Sequence, residues 1–392
     1  IRVKYPAKWG VQIVGMIFQT RSNTITGKDT NHMSQSSFGN KFKVTTWGES
    51  HGKALGAVID GCPAGLPLCE EDIQKFLDRR KPGQSRYTTA RKEGDLVEIL
   101  SGVFEGKTTG TPISLMVRNT DQRSRDYGNI AYSYRPGHAD YTFDQKYGFR
   151  DYRGGGRSSG RETIGRVAAG AIASKILEEL GISICTYTRS IGPVEIASFN
   201  KEEIHQNAFY MPDAQAAVKA GEYLEECMKN QDSAGGVIEC RITGTPAGLG
   251  EPVFDKLSAL LAHALMSIGA VKAVEIGDGI AVTSSNGSTD NDGFTVKDGE
   301  IIKTSNHAGG IIDGSEIILR AHIKPTPSIS QPQQTVTKDK EPLSLEIHGR
   351  HDPVIVPRAV VVVESMVAIT LADALFVNMS SQMDKVRDFY RK

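Results

Sequence analysis

The chain has 392 residues, 39% of them apolar, which is enough to bury a substantial core. Lysine plus arginine and aspartate plus glutamate number 46 each, so the net charge is zero, which argues against a general nucleic-acid-binding protein. Five scattered cysteines without a CxxC pair predict reduced thiols in a cytoplasmic protein and no metal site. The longest apolar run, 359–363, breaks at Glu364, which predicts no membrane span.

Residues 1–32 are basic and have no clear period, and Met33 begins a stretch that is typical of a natural protein start. Three interpretations of residues 1–32 stay open: a tag remnant, a targeting stretch, or translated upstream sequence. We expect an extraneous or disordered extension over 1–32 and a single domain over 33–392.

The first predicted elements are strands over 42–48 and 54–61 and a helix over 69–80. The turn between the strands, Gly-Glu-Ser-His-Gly, presents the imidazole of His51 where glycine lets the backbone approach a ligand closely. It is therefore either a functional site or only a turn. Ser50 beside His51 is poor geometry for a nucleophile and its base, and no GxSxG motif occurs, so covalent catalysis is disfavoured.

Residues 81–157 show few helical patterns, which predicts functional loops with short strands. The stretch 78–92 is crowded with basic residues, including Arg80 and Arg86, and with hydroxyl side chains. Guanidinium groups match carboxylate and phosphate, so an oxyanion pocket and a solvated basic face are equally weighted. His138 follows Pro-Gly, and taken alone it is best interpreted as a surface turn histidine.

A glycine-rich stretch, 150–166, runs through Arg157-Ser158-Ser159 into a strongly amphipathic helix predicted over 161–180. Free amide groups at a helix start, together with the helix dipole, bind anions. A plain glycine cap is the alternative, but the flanking arginines favour an anion site.

An internal echo links residues 57–67 with residues 240–250, since each segment carries Pro-Ala-Gly-Leu after an apolar strand and before a helix. The second helix is predicted over 254–268. Coincidence is possible with so common a turn, but the shared context favours a duplicated strand-turn-helix unit. We therefore expect an α+β fold, a β-α-β sandwich with a pseudo-duplicated core, antiparallel sheets in the middle and helices outside.

The last part of the chain gives weaker signals. Segments 305–314 and 322–330 offer backbone and hydroxyl contacts. His351 and Asp352 precede a proline, which indicates an Asp-Pro turn or a cluster that fits no zinc pattern. The segment 359–377 begins like a strand and ends like a buried helix, and periodicity alone does not decide between them.

Several of these stretches, in order from about Ser37 to about Leu375, closely resemble the signatures of chorismate synthase. They are GESHGKALGAVIDGCP, DRRKPGQSRYTTARKEGD, ILSGVFEGKTTGTPI, NTDQRSRDY, YRPGHADYT, GGRSSGRETIGRVAAGAI, PAGLGEPVFDKL and GRHDPVIVPRAVVVVES. The family converts 5-enolpyruvylshikimate 3-phosphate to chorismate and phosphate by a 1,4-anti elimination that needs reduced FMN, although the net reaction is redox-neutral.

The resemblance implies catalytic roles for His51, His138 and Asp352, and substrate or NADP contacts for Arg80 and Arg86. It also implies a homotetramer and an external flavin reductase or other reductant. FAD is a related flavin cofactor that the resemblance brings with it. The flavin contacts that it implies are Arg157, Ser158, Ser159, Gly269, Ala270, Asp313, Lys324, Pro325, Thr326, Pro327, Ser328 and Arg350.

The chain departs from the family pattern at two positions: Gly269 stands where the family often has Asn, and Asp313 lies in a shortened loop where glycine is expected. An aspartate beside a flavin phosphate would repel it unless the side chain points away. Two further hypotheses stand beside the lyase, and only the first follows from these departures. One is a family member that binds flavin without turnover, and the other is an RNA-binding module that uses the arginines of 79–92.

Overall fold

The computed structural model describes residues 36–88, 94–120, 131–153, 155–311, 313–346 and 352–391. Residue contacts divide the chain into two units, Ile1–Ser37 and Phe38–Lys392. The extension predicted over 1–32 lies outside the described residues, so the predicted domain division stays a prediction.

Two five-stranded sheets form the frame of the fold, and two-residue or four-residue strands form three separate hairpins. The first sheet has the order β1-β2-β3-β7-β4, with β1 (Ser37–Phe38), β2 (Lys43–Gly48), β3 (Ala54–Asp60), β4 (Val97–Ile99) and β7 (Ile113–Arg118). The second has the order β11-β14-β10-β8-β9, with β8 (Ser183–Ile191), β9 (Val194–Glu195), β10 (Gly236–Thr243), β11 (Val271–Ile276) and β14 (Ile317–Ile323). The hairpins are β5 (Val103–Phe104) with β6 (Lys107–Thr108), β12 (Phe294–Lys297) with β13 (Glu300–Lys303), and β15 (Gln333–Val336) with β16 (Pro342–Leu345).

Seven α-helices occur among the described residues. They are α1 (Glu70–Arg80), α2 (Asp140–Tyr147), α3 (Thr163–Glu179), α4 (Ala214–Lys229), α5 (Leu257–Met266), α6 (Val356–Asn378) and α7 (Met383–Tyr390). The helices predicted over 69–80, 161–180 and 254–268 are confirmed, with α3 preceded by two short 3₁₀ turns. The stretch 81–157 also contains α2, a helix that was not predicted, because its eight residues carry almost no amphipathic pattern.

The internal echo marks a duplicated unit. The order β2-β3-α1-β4-β7 is repeated as β8-β10-α5-β11-β14, and both sets pair antiparallel in the same spatial order. A long helix follows each unit, α3 after the first and α6 after the second. In both turns that join strand to helix, a glycine has a positive φ, +93° at Gly65 and +89° at Gly248, where other residues are strained.

The layer order differs from the prediction: the helices lie between the sheets. Helix α3 packs on β2 and β3, α6 packs on β8 and β10, and α3 and α6 pack on each other. Along β14, residues alternate between buried and half-buried, so each sheet covers the helices with one face only. The α+β class and the β-α-β sandwich with a duplicated core are confirmed. Only the expectation of sheets in the middle is wrong, since α3 and α6 are apolar nearly all round and fill the centre.

Helix α6 is the centre of the core. Every residue from Val360 to Ala374 is buried and helical, so the segment 359–377, which periodicity left open between strand and helix, is a helix throughout. Four β-branched valines lower helix propensity by only tenths of a kcal/mol each, roughly, which burial outweighs. By length and composition alone the helix could cross a membrane, so the prediction that no apolar run reaches that length is wrong. However, 83% of its apolar window is buried inside the protein, as in the core helix of a folded domain. Glu364 does not end the apolar run because Arg79 pairs with its carboxylate at 2.7 Å.

The five cysteines are free thiols, as predicted. Burial raises the pKa of Cys62 to about 11, and it also raises the pKa of Cys240. Both thiols therefore stay protonated at neutral pH and act as small apolar side chains.

Candidate active site

His51 lies in the tight turn that joins β2 to β3, residues 49–53, called the His51 turn below. The backbone amide of Gly52 donates to the carbonyl of Glu49 at 3.1 Å. Gly48 enters the turn with a φ of +86°, and a Cβ there would lie 2.3 Å from the carbonyl oxygen of Ala54. This turn requires glycine. His51 itself is only 8% exposed, which is unusual for a turn residue.

The glycine loop, residues 155–159, lies against the same strand end. Arg157 donates through Nη1 to the carbonyl of Gly48 at 3.2 Å and through Nη2 to Oγ1 of Thr46 at 2.7 Å. Ser158 donates to the carbonyl of Gly155 at 2.7 Å, and Oγ of Ser159 accepts from the amide of Arg161 at 3.4 Å. The predicted anion loop is therefore adjacent to the His51 turn.

Arg80 is fully buried below this loop, and all three of its guanidinium nitrogens donate. Nη1 binds Asp95 at 2.8 Å, Nε binds Oγ1 of Thr163 at 3.0 Å, and Nη2 binds the carbonyl of Gly160 at 2.9 Å. Burial lowers the pKa of Arg80 to about 10 although Asp95 opposes it, so the side chain stays charged at neutral pH. In this state Arg80 holds the start of α3 in place.

Asp352 lies beside Arg80. Nη1 of Arg358 is 2.6 Å from Oδ2 of Asp352, and Nε of the same arginine donates to the carbonyl of Arg80 at 3.1 Å. Asp352 also acts on Arg80 electrostatically. Because Arg358 is in the first turn of α6, the starts of α3 and α6 meet around Arg80.

His138 is half-buried, and both of its ring nitrogens have partners. Nδ1 lies 2.9 Å from the carbonyl oxygen of Pro136, and Nε2 lies 3.0 Å from Oγ of Ser328. Burial lowers the pKa of His138 and the charge of Arg135 adds to this, while the bond to Pro136 opposes it. The expectation of a surface turn histidine does not hold, since packing covers the ring.

Residues 324–328, called the Lys324 segment, connect several of the predicted positions. The ammonium of Lys324 donates to the carbonyl of Gly137 at 3.2 Å, and its amide donates to the carbonyl of Ala270 at 2.9 Å. A Cβ on Gly137 would lie 2.6 Å from Cβ of Pro327, so the two segments touch closely. Burial lowers the pKa of Lys324, and nearby Lys272 adds to the effect.

Residues 233–234 connect the Lys324 segment to Asp352. Oγ of Ser233 donates to the carbonyl of Thr326 at 2.7 Å, and the amide of Ala234 donates to the carbonyl of Pro353 at 2.8 Å. A path of hydrogen bonds thus runs from His138 through the Lys324 segment to Pro353 beside Asp352, although these residues lie far apart in sequence.

Arg166 connects the other side of the site. It donates to Oγ of Ser267 at 2.6 Å and to Glu162 at 2.8 Å, and Glu162 accepts from Oγ1 of Thr46 at 2.9 Å. The turn that ends in Gly269 and Ala270 therefore adjoins the strand that carries the His51 turn. A hydrogen-bonded ion pair with Arg153 lowers the pKa of Asp151.

Two predicted residues, Arg86 and Asp313, are not part of this arrangement. Arg86 is 71% exposed in its side chain, stacks 4.8 Å from the ring centroid of Tyr87 and pairs with Glu225. Asp313 lies beyond the far end of β14 from Lys324, with its carboxylate 2.5 Å from Nζ of Lys303. Burial acts to raise the pKa of Asp313, but Lys303 and Ser315 outweigh it and the pKa is lowered. Arg350 lies outside the described residues.

Four residues of the site were not singled out from the sequence: Asp95, Asn119, Arg161 and Arg358. Asp95 bridges Arg80 and Arg161, with 3.2 Å between its Oδ1 and Nη1 of Arg161. Asn119 opens the NTDQRSRDY stretch, and Arg358 closes HDPVIVPR, so both lie in segments that carry the resemblance. Their roles are in holding other residues, which only contacts reveal.

Comparison with known families gives two matches. The profile of the family described as chorismate synthase matches residues 42–376, and that of a family of unknown function matches residues 1–31. The first match covers the second sheet, all of the first sheet except β1, helix α3, helix α6 as far as Phe376, and every described residue of the site.

Individual relatives agree with this match. A chorismate synthase of Agathobacter rectalis is 65% identical over 92% of this chain and 100% of its own length. One of Lachnoclostridium phytofermentans is 64% identical with the same coverage. A crystal structure of chorismate synthase superposes with a TM-score of 0.71 at 33% identity, over 90% of this chain and 96% of that one. The chain belongs to the chorismate synthase family.

Proposed function

We propose that His51, His138 and Asp352 carry the proton transfers of the reaction that this chain catalyses. The reaction is that of the family: a carbon–oxygen lyase of the shikimate pathway forms chorismate by eliminating phosphate from 5-enolpyruvylshikimate 3-phosphate. The substrate is thus a small phosphorylated molecule, and the cofactor is a flavin. The observation that supports the proposal most is the path of contacts from His138 through the Lys324 segment to Pro353 beside Asp352.

The leaving phosphate needs cations and a proton donor. Arg157 lies in the glycine loop and Arg161 follows it, both near the His51 turn. Fixed guanidinium groups stabilise charge as it develops on a leaving oxygen. His51 carries a buried imidazole in a tight turn, which suits it to protonate the phosphate. We assign it the role of general acid.

His138 and Asp352 act at the other side of the pocket in this proposal. A lowered pKa keeps His138 neutral, so that it exchanges a proton through Ser328 rather than adding a fixed positive charge. Through that contact His138 would govern proton exchange at the place where a reduced flavin would be held. Asp352, held at 2.6 Å by Arg358, assists removal of the C6 proton of the substrate.

We propose FMN in its reduced form as the flavin. When bound, it supplies electron density to the reacting allylic system and leaves the net reaction redox-neutral. The donor set of the site fits such a group: Lys324 offers an ammonium, and Oγ1 of Thr326 is buried without a hydrogen-bond partner among the described residues. Arg157, Ser158 and Ser159 offer a guanidinium, two hydroxyls and the amides of the glycine loop. Pro325, Pro327, Ser328, Gly269 and Ala270 complete the proposed contacts. The family pattern also implies Arg350 and Asp313, and Asp313 lies away from the other contacts.

The remaining assignments are also proposals. Arg80 and Arg86 contact the substrate or NADP, the enzyme is a cytoplasmic homotetramer, and an external flavin reductase or other reductant supplies reduced FMN. The single catalytic domain covers 33–392 with an extension over 1–32. Among the contacts of the described residues, none supports FAD over FMN.

The alternative hypotheses are weaker. An RNA-binding module would need unpaired arginines on its surface, but Arg79 pairs with Glu364, Arg80 with Asp95, and Arg86 with Glu225. The flavin-binding protein without turnover was motivated by Asp313, whose charge Lys303 offsets.

The test is an anaerobic assay of the full chain with 5-enolpyruvylshikimate 3-phosphate. We expect release of phosphate and chorismate with reduced FMN, and none with oxidised FMN or without flavin. Turnover without flavin would contradict the cofactor proposal. Binding of reduced FMN with no turnover would instead favour the flavin-binding hypothesis.

A further inference from the structure

The His51 turn has a side-chain anchor, Asn119. Ala54 pairs with Arg118 across β3 and β7, so the residue after β7 lies directly beside the turn that precedes β3. Nδ2 of Asn119 donates to the carbonyl of Glu49 at 3.0 Å and to the carbonyl of Gly52 at 2.8 Å. Its backbone amide donates to the carbonyl of Lys53 at 3.1 Å.

These three acceptors bracket His51. Glu49 lies two residues before it, and Gly52 and Lys53 follow it directly. One amide group that binds carbonyls on both sides of a residue fixes the backbone of that residue, and with it the direction of the imidazole. Asn119 therefore holds the turn closed from outside, while the bond from Gly52 to Glu49 closes it from within.

Asn119 is itself held by charged residues of the site. Its Oδ1 accepts from Nε of Arg161 at 3.1 Å, and Nη1 of Arg161 lies 3.2 Å from Asp95. Arg80 donates to the other oxygen of the same carboxylate at 2.8 Å. Asp95, Arg80 and Arg161 are all buried, and in such surroundings hydrogen bonds to charged groups are strong and geometrically restrictive.

We propose that Asn119 is a positioning residue for His51, supported by Arg161. This rests on the proposed role of His51 as general acid. A proton donor must lie within hydrogen-bond reach of the leaving oxygen, and a misplacement of about 1 Å costs about 10²-fold in rate. Asn119 needs no contact with substrate or flavin for this role.

Asn207 provides a matched control. Its Nδ2 donates to the carbonyls of Glu203 and Met211 at 2.8 Å each, and its Oδ1 accepts from the amides of Phe209 and Met211 at 3.1 Å each. It thus anchors a loop with the same kind of bonds, but in the segment before α4. Asn207→Ala should lower stability much as Asn119→Ala does, without touching His51.

The experiment compares wild type, Asn119→Ala, Asn207→Ala and His51→Ala. It measures kcat and KM anaerobically with reduced FMN, unfolding by denaturant, and the rate at which diethyl pyrocarbonate modifies His51, read by peptide mass spectrometry. For Asn119→Ala we expect kcat to fall about 10²-fold with KM little changed, and modification of His51 to become several-fold faster. For Asn207→Ala we expect both readouts to stay at the wild-type level.

The proposal would be overturned if, in Asn119→Ala, His51 is modified at the wild-type rate and kcat falls no more than in Asn207→Ala. Should Asn119→Ala fail to fold, Asn119→Ser, which keeps one donor, is used, with the same two criteria and a smaller expected effect. His51→Ala distinguishes failure of the proposed role of His51 from failure of the proposed role of Asn119. If it keeps full activity, the role of His51 as general acid fails, whereas the modification rate still reports whether Asn119 holds the turn.

Discussion

Oγ of Ser328 lies 3.0 Å from Nε2 of His138, and this contact joins the Lys324 segment to the imidazole. The other ring nitrogen faces the carbonyl of Pro136 at 2.9 Å. A carbonyl only accepts, so Nδ1 carries the proton and the hydroxyl of Ser328 donates to Nε2. The neutral tautomer of His138 is thereby fixed, in agreement with its lowered pKa.

The lowered pKa of His138 predicts a pH dependence of stability. The unfolded chain takes up a proton on this residue near pH 6.5, roughly, while the folded chain does so only at lower pH. The unfolded state therefore binds more protons as the pH falls below that value, and the free energy of unfolding decreases. We expect His138→Gln to reduce this loss between about pH 7 and about pH 5, measured by denaturant unfolding at each pH.

His307 provides a control of opposite sign. Asp278 raises the pKa of His307, with 2.7 Å between Nδ1 and the carboxylate. Its contribution to stability is present below the unfolded pKa and is lost as the pH rises through the raised folded pKa. His307→Gln should therefore make the loss of stability at low pH larger. Equal pH profiles for the two variants would rule out this assignment of the two histidines.

Arg80 and Arg86 are predicted to differ in what their removal does. Arg80→Ala leaves the buried carboxylate of Asp95 with one cation fewer, and breaking a buried pair costs about 3–5 kcal/mol. Arg86 is exposed, so Arg86→Ala should change the free energy of unfolding little and raise the KM for the substrate. Denaturant unfolding and steady-state kinetics measure both. An unchanged KM in Arg86→Ala would remove its proposed substrate contact.

The contact of Gly170 with Ser365 sets the separation of α3 and α6. A Cβ on Gly170 would lie 2.2 Å from Cβ and 2.5 Å from Cα of Ser365, so Gly170→Ala must push the helices apart. We expect a loss of about 1–3 kcal/mol in the free energy of unfolding. Gly287→Ala is the control, since a Cβ there meets nothing within 4 Å. Similar thermal unfolding of both variants would mean that the helix layer tolerates expansion.

Asp313 and Lys324 lie toward opposite ends of β14, and we expect them to affect FMN binding unequally. Lys303 neutralises Asp313, so Asp313→Asn should leave the affinity for reduced FMN nearly unchanged. Lys324→Met removes an ammonium from the proposed pocket and should weaken binding about tenfold or more. Anaerobic fluorescence titration measures both constants. Tighter binding by Asp313→Asn than by wild type would show that the aspartate does repel the flavin.

Local sequence patterns predicted the helices and strands whose apolar residues follow a single periodicity and whose ends carry typical start and stop residues. Helix α1 was found because acids open it and arginines close it, and the two Pro-Ala-Gly turns revealed the duplication. The valine run of α6 left strand and helix undecided because β-branched residues favour strands on a half-buried surface, whereas this segment is buried on all sides. The layer order was wrong for the same reason: a pattern gives the faces of an element, but not what covers them.

The candidate site divides in a similar way. Motifs that carry the resemblance identified His51, His138 and Asp352, and the structure joins their segments by hydrogen bonds. Sequence patterns did not identify three residues that hold the site together: Asn119, Asp95 and Arg161. Each contacts a partner more than forty positions away or acts through another side chain. Such contacts follow from strand register and helix packing, which no local pattern contains.

The most direct test of the account is anaerobic turnover of 5-enolpyruvylshikimate 3-phosphate by His51→Ala and His138→Ala with saturating reduced FMN, with folding checked by circular dichroism. General acid–base groups contribute about 10²–10⁴-fold, and we predict a loss of that size in the rate of phosphate release for each folded variant. Release at the wild-type rate by either variant would contradict the assignment of proton transfer to that histidine.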